Sequence, residues 1–213
     1  MLAKASGDDV LRRECQSNIN KLTKKYNAVA DAAGLKKQMQ KTRVEGFTPF
    51  TEDDREAEKF FGVSGRDDLT PIVKRSTIKL QNGFACFPEG DLLNENVQKV
   101  RPLKTYFDVA MHGTPTSVCF GTKEANMSPR LLASVIRHSE GYTGQKIRLL
   151  CCSTGRIVGD EYCFAEELAN ALGVTVKAPD DVLYISSRGG LKVREDGTGK
   201  FVDYDPNQRG RLK

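Results

Sequence analysis

Hydrophobic and polar positions follow two different patterns along the chain. From about residue 76 onward, short apolar runs alternate with segments in which apolar residues recur every three or four positions. The apolar runs predict buried strands, and the recurring pattern predicts amphipathic helices. This alternation of strands and helices is typical of an α/β domain with a mostly parallel sheet flanked by helices. We predict that this domain spans residues 76–213.

The predicted strands are short and end at polar or turn-forming residues. They cover residues 77–80, 83–87, 106–111, 146–151 and 174–178. Asn82-Gly83 favours a hairpin turn between the first two strands, and Pro179 is expected to end the last one. In the tail, residues 191–193 and 200–204 flank a turn sequence at 196–199, so we predict a C-terminal β-hairpin.

Two helices are predicted to connect the central strands. Ser128 is a good N-cap and Pro129 suits the first helical position, so a helix begins there and is expected to end near Gly141. Apolar residues at helical spacing mark a second helix over residues 164–172, which Gly173 ends.

Residues 1–75 have a different character, because they are polar and lysine-rich. Apolar residues at helical spacing predict an amphipathic helix over residues 9–33. A second helix is predicted over residues 52–61, with Thr51 as its cap and Gly62 as its end. We interpret this region as a helical, polar extension that packs on the domain. The alternative is a segment for delivery, chaperone binding or substrate recognition.

Composition narrows the range of functions. The 213 residues include 33 Lys and Arg against 28 Asp and Glu, a net charge of +5 with both signs interspersed. This balance suits a soluble protein and, without a basic motif rich in aromatic residues, does not favour nucleic-acid binding. No apolar run is long enough to span a membrane, and the N-terminus lacks the apolar centre of a secretory signal.

The six cysteines do not form a disulfide or zinc pattern. They lie at positions 15, 86, 119, 151, 152 and 163, with no CxxC pair. Free thiols in a reducing compartment are therefore expected. A zinc site formed by His112, Cys119 and Cys151 matches no standard ligand spacing, so we predict no metal and no cofactor.

Two chemically reactive residues stand at strand ends. His112 directly follows the strand over 106–111, and Cys152 directly follows the strand over 146–151. Because parallel neighbours place their carboxyl ends at one edge of a sheet, these two side chains are expected to lie close together. A thiol becomes a strong nucleophile when it loses its proton, and histidine is the natural base near neutral pH. The sequence therefore predicts a Cys–His dyad.

Other residues define the details of this predicted site. The backbone N–H groups of Gly113 and Cys152 are candidates for an oxyanion hole, and Gly155 lets the loop bend away. Strand alternation sends Cys151 and Cys152 to opposite faces, and Cys152 lies further beyond the edge. Taken singly, a histidine after a strand is more often a loop residue and a cysteine more often core packing. His138, the only other histidine, lies near a helix end.

Charged residues after the last core strand are candidates for substrate binding. Asp180 and Asp181 follow a strand end and suit the rim of a pocket that accepts a basic group, whereas Arg188 or Arg194 suits an acidic one. The alternative for all four is an ordinary charged loop.

The two strand-end segments resemble caspase-like cysteine peptidases, including the self-processing peptidase domains of large bacterial toxins. The matching pieces are FDVAMHG at residues 107–113 and IRLLCCSTG at residues 147–155. The segment FAEELANALGVTVKAP at residues 164–179 is similar to modules at the C-termini of bacterial polymorphic toxins. Together the resemblance covers roughly residues 105–185.

The resemblance implies a caspase-like fold and a peptidase that acts on a protein or peptide substrate. His112 would be the general base and Cys152, rather than Cys151, the nucleophile. It also implies a toxin effector or processing module that is delivered without a classical signal peptide and acts in a cytoplasm, with an immunity protein or chaperone as partner. Two alternatives stay open: a glutamine deamidase or acyl transferase on the same scaffold, and a non-enzymatic protein-binding module.

Overall fold

A computed structural model describes residues 52–63, 69–122, 124–158 and 163–206. The helices are α1 (Glu52–Phe61), α2 (Thr70–Ser76), α3 (Leu93–Val97), α4 (Pro129–Arg137) and α5 (Phe164–Leu172). The strands are β1 (Ile78–Leu80), β2 (Gly83–Ala85), β3 (Tyr106–Ala110), β4 (His112–Gly113), β5 (Val118–Cys119), β6 (Asn126–Met127), β7 (Lys146–Leu150), β8 (Val176–Pro179), β9 (Leu183–Ile185), β10 (Leu191–Val193) and β11 (Phe201–Tyr204). The helix predicted over residues 9–33 and the Thr51 cap lie outside the described residues.

The main sheet has six strands in the order β1-β2-β3-β7-β8-β11. β2, β3, β7 and β8 run parallel to one another, while β1 and β11 add antiparallel edges. Nearly every residue of β3 and β7 is buried, as expected for parallel strands covered on both faces. The predicted mixed α/β class, with a mostly parallel sheet flanked by helices, is confirmed.

Helix α4 packs its apolar side on one face of this sheet. The Ser128 hydroxyl caps it by accepting the Leu131 N–H at 3.1 Å, and Pro129 occupies the first turn, as predicted. The helix ends at Arg137, earlier than expected, because His138 already has non-helical backbone angles. α5 follows its prediction, and Gly173 ends it in the left-handed conformation.

Helix α1 lies against α4 in the same core. Ala57 is buried between them, and the Ser134 hydroxyl donates a 2.7 Å hydrogen bond to the buried Asp54 carboxylate. Arg137 reaches the Asp53 carboxylate at 2.9 Å. The helix predicted over residues 52–61 therefore forms and contacts the α/β core, while a domain boundary near residue 75 stays a prediction. Among the described helices, none is long and apolar enough to cross a membrane.

The predicted C-terminal hairpin is wrong, because its two strands belong to different sheets. β10 pairs with β9 across a turn at residues 186–190, whereas β11 adds antiparallel to β8. β8 runs through Pro179, which pairs with Phe201, and does not stop before it. Asp180 fixes this arrangement, because its backbone and its carboxylate both bond to the backbone of Lys200. The chain therefore crosses from one sheet to the other between β10 and β11.

Candidate functional site

The register of the central strands brings His112 and Cys152 to one edge of the sheet. β3 pairs with β7 from Tyr106–Lys146 to Ala110–Leu150, without a bulge. His112 and Cys152 each lie two positions beyond the last of these pairs. The two residues therefore lie at the same level, just beyond the ends of adjacent strands. Paired parallel strands are about 4.8 Å apart.

Cys152 lies half-buried in a sharp turn against the start of β9. Its Sγ is 3.4 Å from the Leu183 N and 3.6 Å from the Leu183 carbonyl oxygen. Ser153 then takes a left-handed conformation (φ 57°) that non-glycine residues rarely adopt, and its N–H donates to the Asp181 carbonyl at 2.9 Å. A rare backbone conformation beside a reactive side chain is a recurrent feature of functional sites.

His112 begins β4 and is held by two side chains. Its Nε2 lies 2.8 Å from Oδ2 of Asp91, and its ring meets the buried Phe87 edge to face at a centroid distance of 5.2 Å. About a third of the His112 side chain stays exposed. The imidazole is thus oriented by the protein and still open to solvent on one side.

Cys119 is a second thiol close to this histidine. It pairs with His112 across the antiparallel β4–β5 ladder, and directly paired residues place their side chains on the same face. Its Sγ lies 3.5 Å from Oδ1 of Asn126. Any experiment on His112 must therefore follow Cys119 as well as Cys152.

Gly113 lies against the segment that carries Cys152. A Cβ at this position would come within 2.8 Å of the Cys152 carbonyl oxygen, 2.9 Å of Thr154 Cγ2 and 3.0 Å of Cys151 Cβ. These contacts leave no room for a side chain. The predicted neighbours Gly113 and Cys152 are therefore in direct contact.

The predicted substrate-binding residues lie in three different settings. Asp180 accepts the Lys200 N–H through its carboxylate, and it also lines a cavity of about 450 Å³. Asp181 lies beside the Cys152 turn and borders two cavities of about 450 Å³ and 460 Å³. Its carboxylate lies 4.0 Å from the Arg156 guanidinium and 3.8 Å from that of Arg194. It suits a pocket rim, although two arginines already balance its charge.

Arg188 and His138 lie away from the Cys152 turn. Arg188 is exposed in the β9–β10 turn, at the end of β9 opposite Leu183. His138 bonds to the Ser134 carbonyl through Nδ1 at 2.9 Å, on the face of α4 that meets α1. In the part of the chain that the structure describes, no group of three or more His, Cys, Asp or Glu side chains is placed to hold a metal ion.

Asp91 is the residue that the sequence analysis missed. It lies in the loop after β2, which is the parallel neighbour of β3. The rule that identified His112 and Cys152, a polar residue beyond the end of a parallel strand, also applies to Asp91. The signal was weaker because five residues separate Asp91 from the end of β2, and their path is not visible in the periodicity.

The buried cysteines are expected to be inert. Burial raises the pKa of Cys86 to about 12 and also raises the pKa of Cys151 and of Cys163. We expect these three thiols to resist iodoacetamide near neutral pH in the folded protein and to react once urea unfolds it. Peptide mass spectrometry of both states measures this directly. Rapid labelling of Cys151 in the native state would contradict the described burial.

Comparison with curated proteins and with solved structures finds no match. A family match covers residues 83–193, more than half of the chain, and includes Asp91, His112 and Cys152. The matched segment begins with β2 and ends with β10, so it contains all three strands that lead to the candidate site. The chain belongs to the family described as Domain of unknown function (DUF8616).

Proposed function

We propose that this protein is a cysteine-peptidase-like hydrolase that cleaves a peptide or amide bond with Cys152 as nucleophile and His112 as base. The observation that carries the proposal is the register that brings both residues to the same level at adjacent parallel strand ends. Together with the resemblance to caspase-like peptidases, it favours an effector or processing module of a bacterial toxin that acts on a protein substrate.

The reaction requires a proton to move twice through His112. The imidazole takes the proton of Cys152, and the thiolate forms a bond to the substrate carbonyl carbon. As the tetrahedral intermediate collapses, the C–N bond breaks and His112 returns the proton to the leaving amine. Water, deprotonated by His112, then attacks the acyl-enzyme, and the thiol and the free acid are released.

Two backbone amides are suited to stabilise the oxyanion. The Thr114 N–H donates to the Ser117 carbonyl at 2.8 Å, so the next pair, Gly113–Val118, is a non-hydrogen-bonded pair of the ladder. The Gly113 N–H therefore points away from β5, at the edge of its small sheet. No backbone hydrogen bond among the described residues uses the Cys152 N–H. Both donors can serve a developing negative charge.

Site-resolved alkylation tests the dyad without a known substrate. The full chain is treated with limiting iodoacetamide near pH 7, and the labelling rates of all six cysteines are measured by peptide mass spectrometry. We expect Cys152 to react fastest and to slow by about tenfold or more in the His112→Ala variant, because no base is then placed to take the thiol proton. His138→Ala is the matched control and should leave the rate unchanged.

Two results would contradict this assignment. If the labelling rate of Cys152 is the same in His112→Ala as in the wild-type protein, the pair does not work as a dyad. If Cys119 slows instead, the histidine serves the other thiol and the nucleophile is misassigned. Once the dyad holds, mass spectrometry of a proteome treated with wild-type protein or with the Cys152→Ala variant identifies the reaction. New chain ends indicate a peptidase, whereas a glutamine deamidase changes side chains and leaves chains intact.

A further inference from the structure

We propose that Asp91 is a positioning residue that holds His112 in the one tautomer able to accept the Cys152 proton. The inference rests on the proposed function and adds a third member to the dyad. Its basis is the 2.8 Å contact between Asp91 Oδ2 and His112 Nε2.

The donor and acceptor roles in this contact follow from the chemistry of the two groups. An ionised carboxylate only accepts hydrogen bonds, so the proton between the two atoms resides on Nε2. A neutral imidazole carries one proton, and the lone pair is then on Nδ1. Nδ1 is consequently the nitrogen that takes the thiol proton. In the opposite tautomer, a lone pair would face the carboxylate and Nδ1 could accept nothing.

The Asp91 carboxylate is itself fixed. Its second oxygen, Oδ1, accepts the Leu93 N–H at 2.9 Å, so each oxygen has its own donor. The loop is closed by backbone bonds from the Asp91 N–H to the Pro88 carbonyl and from the Asn94 N–H to the Asp91 carbonyl. About a fifth of the Asp91 side chain is exposed. With Phe87 against the ring on one side, the imidazole has little freedom to turn away from Asp91.

A purely structural role is the competing explanation, because the Leu93 bond lies at the start of α3. Asp91→Asn separates the two roles. Asparagine can keep the Leu93 bond through its oxygen, and its NH₂ group then faces His112 Nε2. Since that NH₂ group is a donor, Nε2 must accept and the ring proton moves to Nδ1. The variant therefore keeps the loop but selects the inactive tautomer, as expected when an orienting carboxylate becomes an amide.

The experiment combines two readouts on the full chain. Nitrogen-15 NMR of the histidine rings reports which nitrogen carries the proton, and iodoacetamide labelling reports the reactivity of Cys152. In the wild-type protein at a pH where His112 is neutral, we expect the proton on Nε2. In Asp91→Asn we expect the proton on Nδ1. Cys152 should then be labelled at about one tenth of the wild-type rate or below. Glu89→Gln, which neutralises an exposed carboxylate in the same loop, is the control and should change neither readout.

The possible results separate this inference from the function on which it rests. A wild-type ring protonated on Nδ1 overturns it, and this measurement needs no variant to fold. An Asp91→Asn protein with an unchanged tautomer and unchanged labelling also overturns it. If His112→Ala slows Cys152 while Asp91→Asn does not, the dyad stands and the role of Asp91 falls. If His112→Ala has no effect on Cys152, the proposed function itself falls.

Discussion

The Arg148→Met variant is expected to lose about 3–5 kcal/mol of unfolding free energy, because it leaves a buried carboxylate without its partner. Arg148 and Asp108 are directly paired on β7 and β3. The guanidinium bonds to both carboxylate oxygens, through Nε at 2.8 Å and a terminal nitrogen at 2.6 Å. Both residues are about 5% exposed or less. Urea denaturation followed by circular dichroism measures the loss.

The size of this loss should depend on pH. Burial raises the pKa of Asp108, and the Arg148 guanidinium opposes that rise. Without Arg148, only the burial effect is left, so the folded variant holds the Asp108 proton more tightly than the unfolded chain does. Stability is then greatest below the ordinary aspartate pKa of about 3.9 and falls as pH rises. The deficit of the variant should therefore be larger at neutral pH than in acid.

A double variant provides the matched control for the ion pair. Asp108→Leu combined with Arg148→Met removes both charges, and apolar replacements of a buried pair are often neutral or stabilising. We expect it to recover most of the loss seen in Arg148→Met. If the single variant stays within about 1 kcal/mol of wild type, the pair does not hold the two strands together. The register that aligns His112 with Cys152 would then depend on other contacts.

The second large effect is expected for Gly113→Ala. The added Cβ would lie within 2.8 Å of the Cys152 carbonyl oxygen, and so must push β4 away from the Cys152 turn. Overpacking of this kind costs about 1–3 kcal/mol. Because His112 and Gly113 are adjacent, the same displacement should separate imidazole from thiol. We expect iodoacetamide labelling of Cys152 to fall to the rate seen in His112→Ala.

Gly144→Ala separates backbone strain from displacement of the site. Gly144 has a φ of 96°, which disfavours any side chain, but no atom lies within 4 Å of a Cβ built there. This control should lose stability through its backbone alone and label at the wild-type rate. A Gly113→Ala protein that labels Cys152 as fast as wild type would show that the close contact is not needed for the dyad.

Local patterns were sufficient for the parts of the fold that depend on adjacent residues. The Ser128-Pro129 start of α4 and the Gly173 end of α5 are properties of a few neighbouring residues, and both formed as predicted. The apolar runs of β3 and β7 likewise indicated buried parallel strands. The end of α4 was predicted less well, because no local signal marks Arg137 as its last residue.

The candidate site could likewise be predicted only in part. The positions of His112 and Cys152 at strand ends could be read from the chain, because strand order and a parallel sheet already imply a common edge. The Asp91–His112 hydrogen bond could not, since it depends on the path of a loop between partners 21 residues apart. The ion pairs of Asp181 with Arg156 and Arg194 could not be predicted either, because the three residues lie in separate loops.

By itself the sequence determined the alternation of β3, α4, β7, α5 and β8, the mixed α/β class and the two residues at the ends of β3 and β7. Those features follow from periodicity and from residues close together in the chain. Only the tertiary structure decided that β10 and β11 belong to different sheets, that Gly113 contacts the Cys152 turn and that a carboxylate holds the imidazole. Each of these depends on which distant segments meet, and that choice is made by the packing of the whole domain.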